Sequence, residues 1–267
     1  MKQSIIVLIL ISLFSCTSET KQENTVLSDS ISTDNVTELP STENKKDSAI
    51  VTIQNPKNIL EYYQLLKNKN LVEPYTFSKV NNEYKCFNVD DNEISYSFDL
   101  DIQNGYLSII DEGTGAGEAH TELALFKKTD GNYIIAVNYY YKEASGLYIM
   151  ITSSKLDFYE YAAGEITTIT TTCFKNKVYS TSFLKPTYAG DDEIEFNYLL
   201  PKKGTTIKAI LNQDYLTFCK TKEQFQKNMD KEVFEKISDK CLVCDQVVKN
   251  TISIPFNKAK GEFSFTE

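Results

Sequence analysis

The sequence predicts a mainly β protein, an antiparallel meander that forms a sheet or a sandwich- or barrel-like body with two flanking amphipathic helices. Residues 94–100 alternate apolar and polar side chains with a period of two, which is typical of a half-buried strand. Asp130 and Gly131 lie between two apolar runs, and this Asp-Gly pair is the strongest hairpin signal in the chain. The predicted strands follow one another through short loops, so we expect antiparallel pairing and no parallel nucleotide-binding sheet.

The first residues have the pattern of a signal peptide. An apolar run at residues 5–14 follows Lys2 and is too short to span a bilayer. The run ends in the letters LFSC at Cys16, which resemble the lipobox of bacterial lipoproteins. That resemblance implies removal of residues 1–15 and lipidation of Cys16, with palmitate among the acyl groups; an ordinary signal peptide with a chance cysteine is the alternative. Thr17 replaces the aspartate that retains such lipoproteins at the inner membrane, which favours the outer membrane.

Residues 16–50 are predicted to be the lipidated cysteine followed by a disordered tether. The segment after Cys16 is rich in Ser, Thr, Asp, Glu and Asn and contains no aromatic residue. Such a composition cannot bury enough apolar surface to offset the entropy lost on ordering. Asp29 and Asp47 each begin an Asp-Ser-aliphatic triplet that is similar to an O-glycosylation pattern of some Gram-negative envelope proteins.

Residues 51–267 are predicted to form a single β-rich globular domain, because this length is enough for one substantial core. The domain begins with a helix that Asn55 caps, with Pro56 in the first turn and Ile59 and Leu66 at helical spacing. Strands are then predicted at residues 94–100, 106–110, 122–127, 133–141, 147–152, 156–161, 166–172, 178–183, 194–200 and 205–211.

A second helix is predicted after these strands. Thr221 and Gln224 have the spacing of a capping box. An apolar residue then recurs every four positions, which gives one stripe on an amphipathic helix: Phe225, Met229, Val233 and Ile237. A final hairpin is predicted from residues 251–256 and 262–265, with its turn at Gly261.

Parts of the predicted domain resemble uncharacterised Gram-negative envelope lipoproteins. The similarity is carried by residues 156–166, a strand–turn–glycine–strand pattern, and by residues 198–207, which read YLLPKKGTTI. It implies a lipid-anchored protein of the cell envelope and no particular activity.

Composition excludes several classes of partner. The chain has 267 residues and a formal net charge of -9. Its basic residues are all lysine, so it lacks the positive surface and the arginine forks that nucleic acids and phosphates require. A single histidine, His120, excludes a histidine-rich metal site within one chain. We therefore predict no nucleic-acid partner and no cofactor.

The glycine-rich loop at residues 111–122 is the candidate for chemistry. If a strand begins near Glu118, then Glu118, His120 and Glu122 point to one face, where two carboxylates and an imidazole could bind a metal or act as acid and base. Their spacing matches no known metalloenzyme motif, and a mobile solvent-exposed loop is the alternative.

Five cysteines remain besides Cys16, and an odd number leaves at least one thiol free or bridged to another chain. Cys241 and Cys244 form a C-x-x-C pair after a predicted helix. We predict a structural disulfide between them, as expected in an oxidising envelope, with two partly buried thiols as the alternative.

Tyrosines provide the candidate ligand surface: Tyr133, Tyr139, Tyr141, Tyr159 and Tyr161. Tyrosine platforms can stack sugars or peptides, although half-exposed tyrosines are also ordinary sheet residues. We therefore predict a non-catalytic binding module, held at the membrane by the lipid on Cys16, whose partner is an unknown envelope protein or glycan. The alternative is a metal-dependent or hydrolytic enzyme that uses residues 111–122.

Overall fold

The computed structural model describes these ranges of the chain: residues 53–88, 96–113, 117–144, 147–190 and 193–265. The described residues belong to one compact unit. The predicted signal peptide, the lipidated Cys16, the tether and the glycosylation triplets at Asp29 and Asp47 lie outside these ranges. Within the described ranges, no helix has both the length and the apolar character needed to cross a membrane.

A helix and a hairpin come first: α1 (Ile59–Asn68), β1 (Tyr75–Val80) and β2 (Glu83–Asn88). Helix α1 is capped by Asn58, whose Oδ1 accepts hydrogen bonds from the backbone N–H groups of Leu60 at 3.0 Å and Glu61 at 3.2 Å. The predicted cap, Asn55, was placed three residues too early. It adopts a left-handed φ of 59°, whereas an N-cap residue is extended.

Six antiparallel strands form the central sheet in the order in which they occur along the chain. They are β3 (Ser97–Asp101), β4 (Tyr106–Asp111), β5 (Gly117–Lys127), β6 (Tyr133–Ala144), β7 (Ile149–Ala162) and β8 (Glu165–Thr168). This order confirms the predicted antiparallel meander, and the sheet curls into half a barrel. The predicted Asp-Gly turn joins β5 to β6, where Gly131 adopts a φ of 91° that favours glycine.

Two segments predicted as strands contain helical turns instead. The β-branched run at residues 166–172 leaves the sheet after β8 and continues as α2 (Thr170–Cys173). The hydroxyl of Thr170 accepts a hydrogen bond from the backbone N–H of Phe158 at 2.9 Å, and such side-chain bonds compete with strand pairing. Residues 178–183 likewise include a 3₁₀ turn.

A second antiparallel sheet has the strand order β12-β11-β10-β9. Its strands are β9 (Phe196–Leu199), β10 (Thr206–Leu211), β11 (Thr251–Asn257) and β12 (Glu262–Phe263). Strands β11 and β12 form the predicted final hairpin, with Gly261 at a φ of 65° in its turn. Along β11, buried and exposed side chains alternate at every position, as expected for a strand with one face in the core.

Two α-helices lie between β10 and β11, where the sequence predicts one: α3 (Gln213–Thr221) and α4 (Lys231–Cys241). Thr221 ends α3 rather than capping a helix, because its hydroxyl donates back to a carbonyl of the same helix. Asp230 caps α4 instead, accepting a hydrogen bond from the backbone N–H of Glu232 at 2.9 Å. The predicted apolar stripe is only partly buried, and its exposed members are Phe225 and Val233.

The central sheet is buried on both faces, since other elements cover each side. We call the side that packs against the second sheet the sandwich face, and its core residues include Tyr106, Phe126, Ala136 and Phe158. We call the side that packs against α1 and the β1–β2 hairpin the helix face, and its core residues include Leu107, Leu123, Ile135 and Val137. Alternation along each strand supplies both sets.

Phe263 of β12 occupies the centre of the aromatic cluster between the two sheets. Its ring centroid lies 4.8 Å from that of Phe126 and 4.7 Å from that of Phe158, both on the central sheet. It also lies 4.9 Å from the ring of Phe256 on β11. One short C-terminal strand therefore carries a side chain on which both sheets pack.

Candidate functional site

A cavity of about 380 Å³ opens between the helix face and the segment that follows α1. Three neighbouring strands form its floor, where the register aligns Tyr139 of β6 with Thr121 of β5 and Lys155 of β7. The next pair on the same face is Val137 with Asp157. The wall consists of consecutive residues: Asn70, Leu71, Val72, Glu73 and Pro74.

The cavity combines an aromatic ring, a wall that mixes apolar and polar residues, and an ion pair of opposite charges on its floor. The ammonium of Lys155 lies 2.6 Å from a carboxylate oxygen of Asp157; the Lys155 side chain is 70% exposed, and that of Asp157 is 18% exposed. Burial raises the pKa of Tyr139, so its hydroxyl stays a neutral hydrogen-bond donor. Such a site suits a small ligand with an apolar face and several hydrogen-bonding groups.

The candidate tyrosines all lie on the helix face, but α1 covers part of that face. Tyr62 of α1 packs its ring 6.0 Å from that of Tyr133 and 6.1 Å from that of Tyr161. Tyr159 is only 3% exposed. Of the predicted set, Tyr139 alone lines the cavity. These side chains thus form part of the core and part of the cavity floor rather than an open platform.

Tyr141, the remaining member of the set, lies against the glycine that begins β5. A Cβ atom at Gly117 would clash with the hydroxyl of Tyr141 and would lie 2.7 Å from the carbonyl oxygen of Lys142. Only glycine leaves space for the Tyr141 ring to cross the backbone there. The role of Tyr141 in this structure is therefore to pack against the start of β5.

Two of the three residues predicted for chemistry are brought together. Glu118 Oε2 and His120 Nε2 are 2.9 Å apart, and the His120 ring stacks on Tyr140 with centroids 4.5 Å apart. Burial lowers the pKa of His120, while the hydrogen bond with Glu118 opposes that effect. The pair can exchange a proton, but the stacking and the burial leave only one side of the imidazole in contact with a carboxylate.

The third residue, Glu122, is 3% exposed and has a different set of partners. Its carboxylate accepts hydrogen bonds from the hydroxyl of Tyr106 at 3.1 Å, the side-chain amide of Asn138 at 2.8 Å and the backbone N–H of Leu200 at 3.1 Å. Burial raises the pKa of Glu122 despite these donors. Glu122 thus joins the central sheet to the chain after β9.

No group of three or more His, Cys, Asp or Glu side chains within the described ranges is placed to hold a metal ion. The predicted cluster of Glu118, His120 and Glu122 divides into a pair, in which a buried imidazole contacts an exposed carboxylate, and a separate buried carboxyl, although all three share the sandwich face. Residues 114–116 of the predicted loop lie outside the described residues.

The disulfide pairing differs from the predicted one. Cys241 bonds to Cys219 of α3, with Cα atoms 5.3 Å apart, and Cys244 is a free thiol. The last turns of α3 and α4 meet at this point, which a local C-x-x-C pattern cannot reveal. The other described cysteines, Cys86 and Cys173, are buried thiols, and burial raises the pKa of each to about 12. Such thiols behave as small apolar side chains.

Sequence reasoning missed the charged half of the cavity. Lys155, Asp157 and Tyr159 occupy every second position of β7 and therefore share one face of the sheet. This period-two spacing is visible in the sequence and could have placed the two charged residues beside the tyrosines. The wall at residues 70–74 had no such signal. It is brought to β7 by the packing of α1, across a long separation in sequence.

Comparisons with known proteins leave the family open. No protein-family model matches the chain, and no curated protein matches it. Among solved structures, it is similar to "a domain of an uncharacterized protein from Porphyromonas gingivalis W83", with 12% sequence identity and a TM-score of 0.41. That match covers 78% of this chain and 88% of the other.

Proposed function

We propose that the protein is a non-catalytic binding module whose cavity beside Tyr139 holds a sugar unit of a cell-envelope glycan. The observation that carries this proposal is the cavity itself, in which one tyrosine ring lies next to Asp157 and Lys155 on the neighbouring strand. Its volume of about 380 Å³ is within the range typical of small-molecule sites.

Sugar chemistry fits these side chains. A pyranose ring has an apolar face that can stack on Tyr139, and hydroxyls around its edge. The Asp157 carboxylate can accept hydrogen bonds from such hydroxyls, and the Lys155 ammonium can donate to them. Floor residues come from three paired strands, so their backbone positions are fixed before a ligand arrives.

We also propose that the module is tethered to the envelope by lipid on Cys16, at the outer membrane. The apolar run at residues 5–14, the letters LFSC and the residue after Cys16 support this proposal. Mass spectrometry of the mature protein is expected to find Cys16 as an acylated N-terminus. An N-terminus at Met1, or a mature Cys16 without acyl chains, would refute the anchor while leaving the cavity proposal intact.

Tyr139→Ala is expected to weaken glycan binding at least about tenfold, because it removes the stacking ring, which is worth roughly 1.4 kcal/mol or more. A glycan array of bacterial envelope fragments, printed beside a peptide array, identifies a ligand. Titration calorimetry with that ligand then compares the wild type with the variant.

Tyr179→Ala provides the matched control, because Tyr179 is 63% exposed and lies outside this cavity. It should leave the affinity unchanged. If peptides bind and glycans do not, the proposed ligand class is wrong. If the affinity for a glycan survives Tyr139→Ala, the ligand lies elsewhere on the molecule.

A further inference from the structure

We propose that Cys219, Cys241 and Cys244 form an intramolecular thiol–disulfide exchange site, at which the bond moves between the Cys219–Cys241 and Cys241–Cys244 pairings. The inference concerns a part of the molecule that ligand binding at Tyr139 does not use. It rests on where the three sulfur-bearing residues lie on α3, on α4 and on the turn that follows.

The disulfide joins two helix ends. Cys219 lies in the last turn of α3, and Cys241 is the last residue of α4. Both residues are buried, so the sulfur atoms are held within the core that α3 and α4 share with the second sheet.

Cys244 lies next to Cys241 because of the helix type that follows α4. Residues Leu242–Gln246 form a 3₁₀ helix, with Cys241 as its N-cap in a helical conformation. In a 3₁₀ helix the side chains of residues three apart lie almost directly above one another, and Cys244 is three residues after Cys241. This geometry places the free thiol on the same side of the turn as the bonded sulfur.

Tyr215 independently brings Cys244 to α3. The hydroxyl of Tyr215 donates to the carbonyl of Lys240 at 2.8 Å, and it lies close enough to the thiol of Cys244 that this neighbour adds to the effect of burial in raising the pKa of Tyr215. Tyr215 is four residues before Cys219, so both side chains point from the same face of α3. The free thiol is therefore close to each of the two helices that the disulfide connects.

The exchange step needs no oxidant or reductant. The Cys244 thiol loses its proton to solvent, and the resulting thiolate attacks Sγ of Cys241. A Cys241–Cys244 bond forms as the Cys219–Cys241 bond breaks, and Cys219 leaves as a thiolate that takes up a proton. One disulfide and one thiol are present before and after the step.

Exchange would change how tightly α3 is held to α4. In the Cys219–Cys241 form, the disulfide closes a loop with a sequence separation of 22 residues around the connection between the helices. In the Cys241–Cys244 form, the bond lies within one turn, and α3 keeps only noncovalent contacts such as the hydrogen bond from Tyr215 to Lys240. The connection at residues 222–230 then becomes freer to move.

Peptide mapping of the full chain tests the proposal. Free thiols are labelled with iodoacetamide and the protein is digested with trypsin, which releases residues 209–220 with Cys219 and residues 241–249 with the other two cysteines. The first pairing gives two cross-linked peptides with the label on Cys244. The second gives a disulfide within residues 241–249 and the label on Cys219. We expect both products from the wild type, and we expect each separated isomer to regenerate the other in mildly alkaline buffer.

Two variants make the outcome decisive. Cys219→Ser, treated with glutathione disulfide, should form the bond within residues 241–249, whereas Cys244→Ser should keep only the cross-linked peptides. Cys86→Ala, a matched change at a buried cysteine elsewhere, should leave the wild-type mixture unchanged. The proposal is overturned if the wild type yields a single pairing that never converts, or if conversion joins Cys219 to Cys244 instead.

Discussion

Phe263→Ala is expected to lower the free energy of unfolding by about 4 kcal/mol, as is typical of truncating a buried phenylalanine. Phe263 is 1% exposed, and its ring contacts the rings of Phe126, Phe158 and Phe256. Both sheets pack on this ring, so its removal leaves a cavity between them. The midpoint of urea unfolding, followed by far-ultraviolet circular dichroism, measures the change.

Phe225→Ala is the matched control for this substitution. Phe225 is 37% exposed in the connection between α3 and α4, where it contacts Phe218. We expect it to lower the free energy of unfolding by less than about 1 kcal/mol. Equal effects of the two substitutions would show that β12 does not complete the core between the sheets.

Glu122→Ala is expected to destabilise the fold by about 3 kcal/mol. The substitution leaves the buried N–H of Leu200 and the hydroxyl of Tyr106 without the carboxylate that now accepts from them. It also opens a cavity between the sheets, which adds to the loss. Glu122→Gln keeps the size and one acceptor oxygen, so it should fold with nearly normal stability.

The pH dependence of stability in the wild type and in Glu122→Gln distinguishes the effect of the Glu122 charge from the effect of its packing. The folded state raises the pKa of Glu122 above its usual value of 4.5, so folding favours the protonated carboxyl. Stability from this group is fully present below pH 4.5 and falls as the pH rises through the folded pKa, because a buried carboxylate must then form. Glutamine cannot ionise. Glu122→Gln should therefore gain stability relative to the wild type as the pH rises through this window.

Urea unfolding of the wild type and of Glu122→Gln, across a series of pH values, measures that difference. Glu165→Gln at the exposed start of β8 provides the control and should change stability by less than about 0.5 kcal/mol. If the stability of Glu122→Gln relative to the wild type stays constant or falls as the pH rises, the pKa of Glu122 is not raised in the folded state.

The sequence could predict the central sheet because its signals are local. Period-two alternation marks the strand at residues 94–100, and the Asp-Gly pair marks the β5–β6 turn. Local residue preferences also gave one wrong prediction. The β-branched run before Cys173 has a high strand propensity, but the Thr170 hydroxyl accepts a hydrogen bond from the backbone N–H of Phe158, and α2 forms there. Helix α3 was missed because Asn212, which caps it, follows directly after a strand with no intervening turn signal.

The candidate site was less predictable, since its parts meet only through tertiary packing. Tyr139 was found from its residue type, but the wall at residues 70–74 reaches it through the docking of α1. The bond between Cys219 and Cys241 likewise depends on α3 and α4 lying side by side in the fold. Contacts of this kind depend on the relative positions of whole elements, and a single sequence does not specify them.

On the ribosome, each strand of the central sheet emerges directly after the strand with which it pairs, so the sheet can grow one hairpin at a time. Its sandwich face, however, stays uncovered until β9 to β12 have been synthesised. A nascent chain that stalls before β9 presents an apolar sheet surface to other copies of itself, which favours aggregation. The protein therefore depends on its last strands for solubility during synthesis, although its first sheet needs no distant partner to form.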